Sequence, residues 1–153
     1  MHSGIILGNK ILDVVTISWF IAQFYKVISS IIIDKKFNIK RMFETGGMPS
    51  SHSSTVSALA TAVGITYGVS SVLFAVAAIF AIIVMHDASG IRRAAGKQAG
   101  MLNKLSESLN SLFENKFQQE NLRELLGHTP IEVLVGAILG IAVALIMRPY
   151  LLA

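Results

Sequence analysis

The chain contains no cysteine, so neither disulfides nor thiolate metal sites are available to it. Charge is scarce too: 14% of the residues are Asp, Glu, Lys or Arg, against 53% hydrophobic, and mean hydropathy is +0.63. A soluble domain carries roughly a quarter charged residues, so the balance points away from a surface that meets only water. Between Ser53 and Met85 there is no charged side chain at all. The net charge of +4 does not argue for nucleic acid, because no basic stripe interleaved with aromatics accompanies it, and no nucleic-acid partner is expected. At 153 residues the chain reads as one domain, 1–153.

As a single helix the uncharged run would extend roughly 50 Å, against about 30 Å of bilayer hydrocarbon. The polar break YGVSS, Tyr67 to Ser71, falls in its middle, which makes two short spans and a tight turn the better reading. A first span is expected from about Ile11 to Ile33 and a last from about Pro130 to Met147. No cleavable leader is expected, since the first apolar run is long and carries Asp13, Gln23 and Lys26. The predicted class is all-α, a polytopic membrane helical bundle of about four transmembrane helices plus an amphipathic helix. A soluble, wholly buried helical core is the alternative. The amphipathic segment covers about 97–126. In it Leu102, Leu105, Leu109, Leu112, Phe113 and Phe117 recur at three- and four-residue steps, giving a helix from about Met101 to Leu126. It could lie in the membrane interface, cover the site, pair with another subunit, or simply pack on its own protein.

Lys35, Lys36, Lys40 and Arg41 follow the first span, and Arg92, Arg93, Lys97, Lys104, Lys116 and Arg123 lie between the third and the last. Only Lys10 and Arg148 flank the other side. The positive-inside rule then gives a multi-pass integral membrane protein whose basic face is cytoplasmic. His52, His86, Asp87 and His128 all fall at that face.

Three stretches there carry more polar chemistry than a membrane edge needs. GGMPSSHSS, residues 46–54, starts a helix capped by Ser50 or Ser51, and a helix start offers free N–H groups to phosphate. His52, in its first turn, could exchange a proton with a bound group, although a structural histidine is the plainer reading. In LGHTPIEVLVGAILG, residues 126–140, Thr129, Pro130 and Glu132 match N-cap, N1 and N3 of a capping box, with His128 just outside. Glu132 is thus either the acid of that box or a catalytic carboxylate. Gly136 and Gly140 form a GxxxG close-packing signal. In HDASGIRRAAGKQAG, residues 86–100, Gly90 ends a helix, and Asp87 sits beside Arg92, Arg93 and Lys97. Anchoring of a span explains the cations; it does not explain Asp87. Two histidines, two helix starts and an arginine pair suit a phosphate site with a nucleophile and a proton donor.

PSSH, Pro49 to His52, resembles the P-S-G-H motif of the type 2 phosphatidic acid phosphatase superfamily, which includes lipid phosphatases and vanadium haloperoxidases. HTPIEVLVG, His128 to Gly136, is similar to that superfamily's final H-x-P-x-D-V-x-x-G. The three stretches in order resemble a small divergent membrane branch of it. The resemblance implies that His128 attacks phosphorus to give a phosphohistidine, that His52 protonates the leaving oxygen, and that Glu132 orients His128. Ser51 stands where the superfamily has glycine, and Glu132 where it has aspartate. Asn121 and Leu122 occupy the positions of its S-R pair, with Arg123 one residue further on; Lys26, Lys40 and Arg41 are the candidate substitutes for its first basic motif. The implied catalytic set is His128, His52, Glu132 and Asp87. The implied phosphate-binding set is Ser50, Ser51, Arg92, Arg93, Lys97, Lys26, Lys40, Arg41 and Arg123. No metal and no cofactor is expected.

The function expected is a membrane phosphatase acting on a lipid-linked phosphate or diphosphate, with that lipid and the surrounding membrane lipids as partners. The alternatives are an inactive phosphate-binding scaffold, or a small transporter with Gln23 and Lys26 lining its path. Four spans are fewer than the superfamily's usual six-helix core, so a homo-oligomer completing the site is one expectation. The absence of native cysteine makes the topology testable with single substitutions. Label reaching Lys97→Cys from one side of the membrane should reach Ser71→Cys only from the other; labelling of both from one side would refute the two-short-spans reading.

Overall fold

The computed structural model describes residues 4–34, 47–112, 122 and 127–153. Within them the chain is helical without strands: α1 (Lys10–Asp34), α2 (Ser51–Tyr67), α3 (Val72–Ser89), α4 (Ile91–Leu112), α5 (Pro130–Ile146) and a short α6 (Arg148–Leu152). The first three starts have a local cause. The Asn9 Oδ1 accepts from the N–H groups of Ile11 and Leu12, and Ser50 and Ser71 accept from Ser53 and Phe74. The expected break at residues 67–71 is the turn between α2 and α3, closed by the Ser71 hydroxyl donating to the Gly68 carbonyl at 2.7 Å.

α2 is the hub, packing on α5, α3 and α1, most extensively on α5. Its inner surface is made of small residues, among them Ser53, Ser54, Ser57, Ala58 and Ala62. Gly136 and Gly140 meet that surface with bare backbone. A Cβ on Gly136 would collide with the Ser50 carbonyl, and one on Gly140 with the Ser54 carbonyl and the Ala58 nitrogen. The GxxxG pair therefore sets the α2–α5 distance.

The distribution of polarity is the reverse of a water-soluble bundle. Ser18, Ser50, Ser53 and Ser54 are wholly buried, whereas Leu73, Val76, Ile79, Phe80, Ile82 and Ile83 of α3 point outward. Only Ala77, Ala81 and Ala88 of α3 are buried. A large exposed apolar surface suits a lipid solvent and would be a liability in water. Two helical stretches, Lys10–Ser29 and Val72–Asn110, are long and apolar enough to cross a membrane, and Pro130–Ile146 is a shorter apolar helix.

Two boundaries differ from expectation. The amphipathic helix starts at Ile91 rather than near residue 97 or 101, with only Gly90 between it and α3. Ala94 and Ala95 are strong helix formers, and the isolated Gly96 and Gly100 lower helix propensity without stopping the helix. Its expected continuation over 113–121 and 123–126 lies outside the described residues. The second difference is α6, which no periodicity signalled. It brings the Tyr150 hydroxyl to Asp13, whose buried carboxylate also accepts from the N–H groups of Ile6 and Leu7 at 3.3 and 2.8 Å. Lys10 lies 5.6 Å above the Tyr150 ring. The chain's two ends are thereby joined at the pole opposite the histidines.

Gly140→Val should cost about 1–3 kcal/mol or more, because the new side chain has backbone rather than a movable side chain to displace. Thermal unfolding in detergent measures it, and an unchanged midpoint would contradict the close α2–α5 contact.

Candidate functional site

Three chain segments distant in sequence are fastened together at the other pole by backbone bonds. The Ser50 N–H donates to the Glu132 carbonyl at 3.0 Å, joining the start of α2 to the first turn of α5. The His128 N–H donates to the Ala88 carbonyl at 2.8 Å, joining the entry of α5 to the end of α3. Gly127, with φ of 86°, lies directly on the Arg92–Arg93 backbone, where any Cβ would clash. The three polar stretches of the sequence thus form one locus.

At its centre is His128, 3% exposed. Its Nδ1 is 3.0 Å from Glu132 Oε2, and the same oxygen accepts from the Thr129 N–H at 3.2 Å, while Thr129 Oγ1 accepts from the Glu132 N–H. The capping box and the histidine contact therefore share a single carboxylate oxygen. An ionised carboxylate only accepts, so the proton of the neutral imidazole sits on Nδ1 and the lone pair on Nε2. That Nε2 is buried and has no hydrogen-bond partner among the described residues. The half-buried His52 ring stands beside it, edge to face, with centroids 6.3 Å apart.

The charges arrange themselves around this pair. Lys26, 4% exposed, reaches from α1 to donate to the Ser51 hydroxyl at 3.4 Å. A lysine at that depth needs such partners, and Ser51 supplies one from beside His52. Arg92 Nε donates to Asp87 Oδ2 at 2.7 Å in a largely exposed pair. Arg92, Lys26 and Asp87 all lie within electrostatic reach of His52.

Of the candidate residues, His52, His128, Glu132, Ser50, Ser51 and Lys26 converge, with Asp87 and Arg92 at the rim. Arg93 and Lys97 are exposed on the first turns of α4. Lys40, Arg41 and Arg123 lie outside the described residues. Sequence reasoning did not single out Gly127 or the Ala88 carbonyl, the backbone groups that hold His128 in place. The glycine just before the histidine was the one available signal. The buried Gln23, whose Oε1 has no partner among the described residues, lies one helical turn before Lys26 on α1.

Comparison with known proteins identifies a family. The family described as "Divergent PAP2 family" matches residues 7–143. The "Uncharacterized membrane protein YuiD" of Bacillus subtilis (strain 168) is 45% identical over 135 residues, covering 82% of this chain and 85% of its own. No solved structure matches.

The shared oxygen ties two roles together. Glu132→Gln keeps an acceptor oxygen for the cap and for the His128 Nδ1–H and should cost under about 1 kcal/mol, whereas Glu132→Ala should cost about 1–2 kcal/mol through the lost cap. Glu132→Ala should release the His128 tautomer and Glu132→Gln should largely keep it, read from the ring nitrogen chemical shifts in ¹⁵N-histidine-labelled protein. Unchanged ring shifts in Glu132→Ala would show that Glu132 does not set the tautomer.

Proposed function

The chain belongs to the Divergent PAP2 family and is a membrane protein, and on that premise we propose that it is a multi-pass phosphatase of lipid-linked phosphates or diphosphates. The observation that carries the reading is His128. Its Nδ1 is held by a carboxylate, its Nε2 keeps an unshared lone pair, and a second histidine stands at its side.

In the proposed reaction His128 Nε2 attacks phosphorus and the bond from phosphorus to the lipid oxygen breaks. Protonated His52 gives its proton to that leaving oxygen. The product alcohol, or lipid phosphate, departs, leaving a phosphohistidine. Water then attacks phosphorus, giving a proton to His52, and the N–P bond breaks to release inorganic phosphate and restore Nε2. Glu132 stabilises the positive charge that develops on the imidazole during attack. Lys26 and Arg92, with the first N–H groups of α2, supply positive potential to the phosphoryl oxygens. Asp87 holds the Arg92 guanidinium at the rim. The site sits at the end of the apolar helices, where a lipid phosphate lies when its chains are in the bilayer. The excess of basic residues on that face supports a cytoplasmic location for it.

A non-catalytic phosphate-binding protein is the second reading. It is favoured by Asn121 and Leu122, which stand where the wider superfamily has its S-R pair.

The two histidines should fail differently. His128→Ala should abolish both phosphate release and covalent labelling, because the atom that takes the phosphoryl group is gone. His52→Ala should cost about 10²–10⁴-fold on lipid monophosphates, whose alkoxide leaves poorly, and much less on aryl phosphates or diphosphates. Rapid quench from labelled substrate, followed by mass spectrometry, locates the acid-labile phosphate. Phosphate on His52 would reverse the assignment, and failure of the native chain to release phosphate from any of these classes would favour the binding protein.

A further inference from the structure

α4 has three distinct faces. Gly96, Ala99, Asn103 and Asn110, spaced at helical intervals, are turned inward, and Asn103 holds the Leu122 backbone through two bonds of 2.9 Å. A second stripe, formed by Ile91, Met101, Leu102, Leu105 and Leu109, is large, apolar and 40–72% exposed. Arg93, Lys97 and Lys104, also exposed, run along one edge of that stripe. The helix's sole acidic residue, Glu107, projects from the opposite side, by the 100° step of an α-helix.

We propose that this face of α4 seats in the anionic headgroup region of the bilayer, with the apolar stripe in the acyl boundary and the three cations against lipid phosphates. Three observations select this occupant. Only Gly90 separates α4 from α3, so its start is fixed at the depth where a membrane-length helix ends. The stripe is aliphatic, and α4 has no Trp, Tyr or Phe to act as the aromatic anchor common at the centre of a protein interface. The cations flank the stripe while the carboxylate avoids it, which complements a negative lipid surface.

The test uses the whole chain in vesicles and does not depend on turnover. Leu105→Cys and Glu107→Cys, each the only cysteine present, carry a polarity-sensitive dye, and lipids with brominated acyl chains act as quencher. In vesicles containing phosphatidylglycerol the dye at 105 should be quenched several-fold more than the dye at 107. That difference should shrink in pure phosphatidylcholine or in about 0.5 M salt, where surface charges are screened. Lys104→Glu should lower quenching at 105 in the anionic vesicles and leave the phosphatidylcholine value unchanged. Equal quenching at 105 and 107, or quenching at 105 that ignores lipid charge, would overturn the proposal. Efficient disulfide formation between two Leu105→Cys chains would assign the stripe to a second copy instead.

Discussion

Two glycines without side chains hold the molecule's chemistry in register. Because Gly136 and Gly140 lay α5 against the carbonyls of Ser50 and Ser54, the first turns of α2 and α5 end up level with one another. The Ser50 N–H can then reach the Glu132 carbonyl, and His52 and His128, one on or beside each turn, become neighbours. Larger residues at the two positions would part the helices and widen the gap between the histidines before disturbing either one directly. The packing motif and the candidate site are one feature, and the serine-rich α2 surface is its counterpart. Ser54, placed against Gly140, also bonds Ser18 of α1 at 2.6 Å, so the same contact brings in the third helix.

Lipid as solvent explains why such a contact can matter so much. Apolar side chains gain little by leaving hydrocarbon, so helix association relies on close backbone packing and interior hydrogen bonds. The observed interior follows that rule. Serines, Gln23, Lys26 and Asp13 are inside, and α3 presents its leucine, its isoleucines and Phe80 outward. Each buried charge has a defined setting. Asp13 is saturated by two N–H groups and the Tyr150 hydroxyl at one pole, and Lys26 meets Ser51 at the other. The two ends of the chain close the first pole, leaving the second to the histidines.

What could be read from the sequence was local. The Ser50–Ser51 pair, Gly90 and the Thr129–Glu132 box mark helix ends because capping is decided within a few residues, and the uncharged run with its YGVSS break set the α2–α3 hairpin. Gly136 and Gly140 announced close packing but not its partner. The Asp13–Tyr150 contact spans nearly the whole chain, and nothing at either residue names the other. The start of α4 was misplaced because the glycines and charges of 90–100 look like a loop, while the alanines between them keep the helix going. The site's composition was legible as three motifs. Its geometry was not, since Gly127 and the Ala88 carbonyl act through backbone, which residue identity barely encodes.

Under the proposed mechanism, the burial of His128 Nε2 sets an order of events at this site. A phosphoryl group cannot reach an atom with no accessible surface until a neighbour moves. His128 itself is poorly placed to move, because Glu132 holds its ring, Ala88 its backbone N–H, and Gly127 is wedged on the Arg92–Arg93 backbone. His52 is different: it is half-buried on the outermost turn of α2, and its ring makes no hydrogen bond among the described residues. It is also surrounded by charges that respond to an incoming anion, since Arg92 and Lys26 both act on it. A phosphate arriving among those cations would draw His52 toward its own oxygens by favouring the charged imidazolium. Under the proposed mechanism, the motion that uncovers Nε2 would be the same motion that brings a proton to the leaving group, and the two rings' different anchoring would suit His128 to the nucleophile's role and His52 to the acid's.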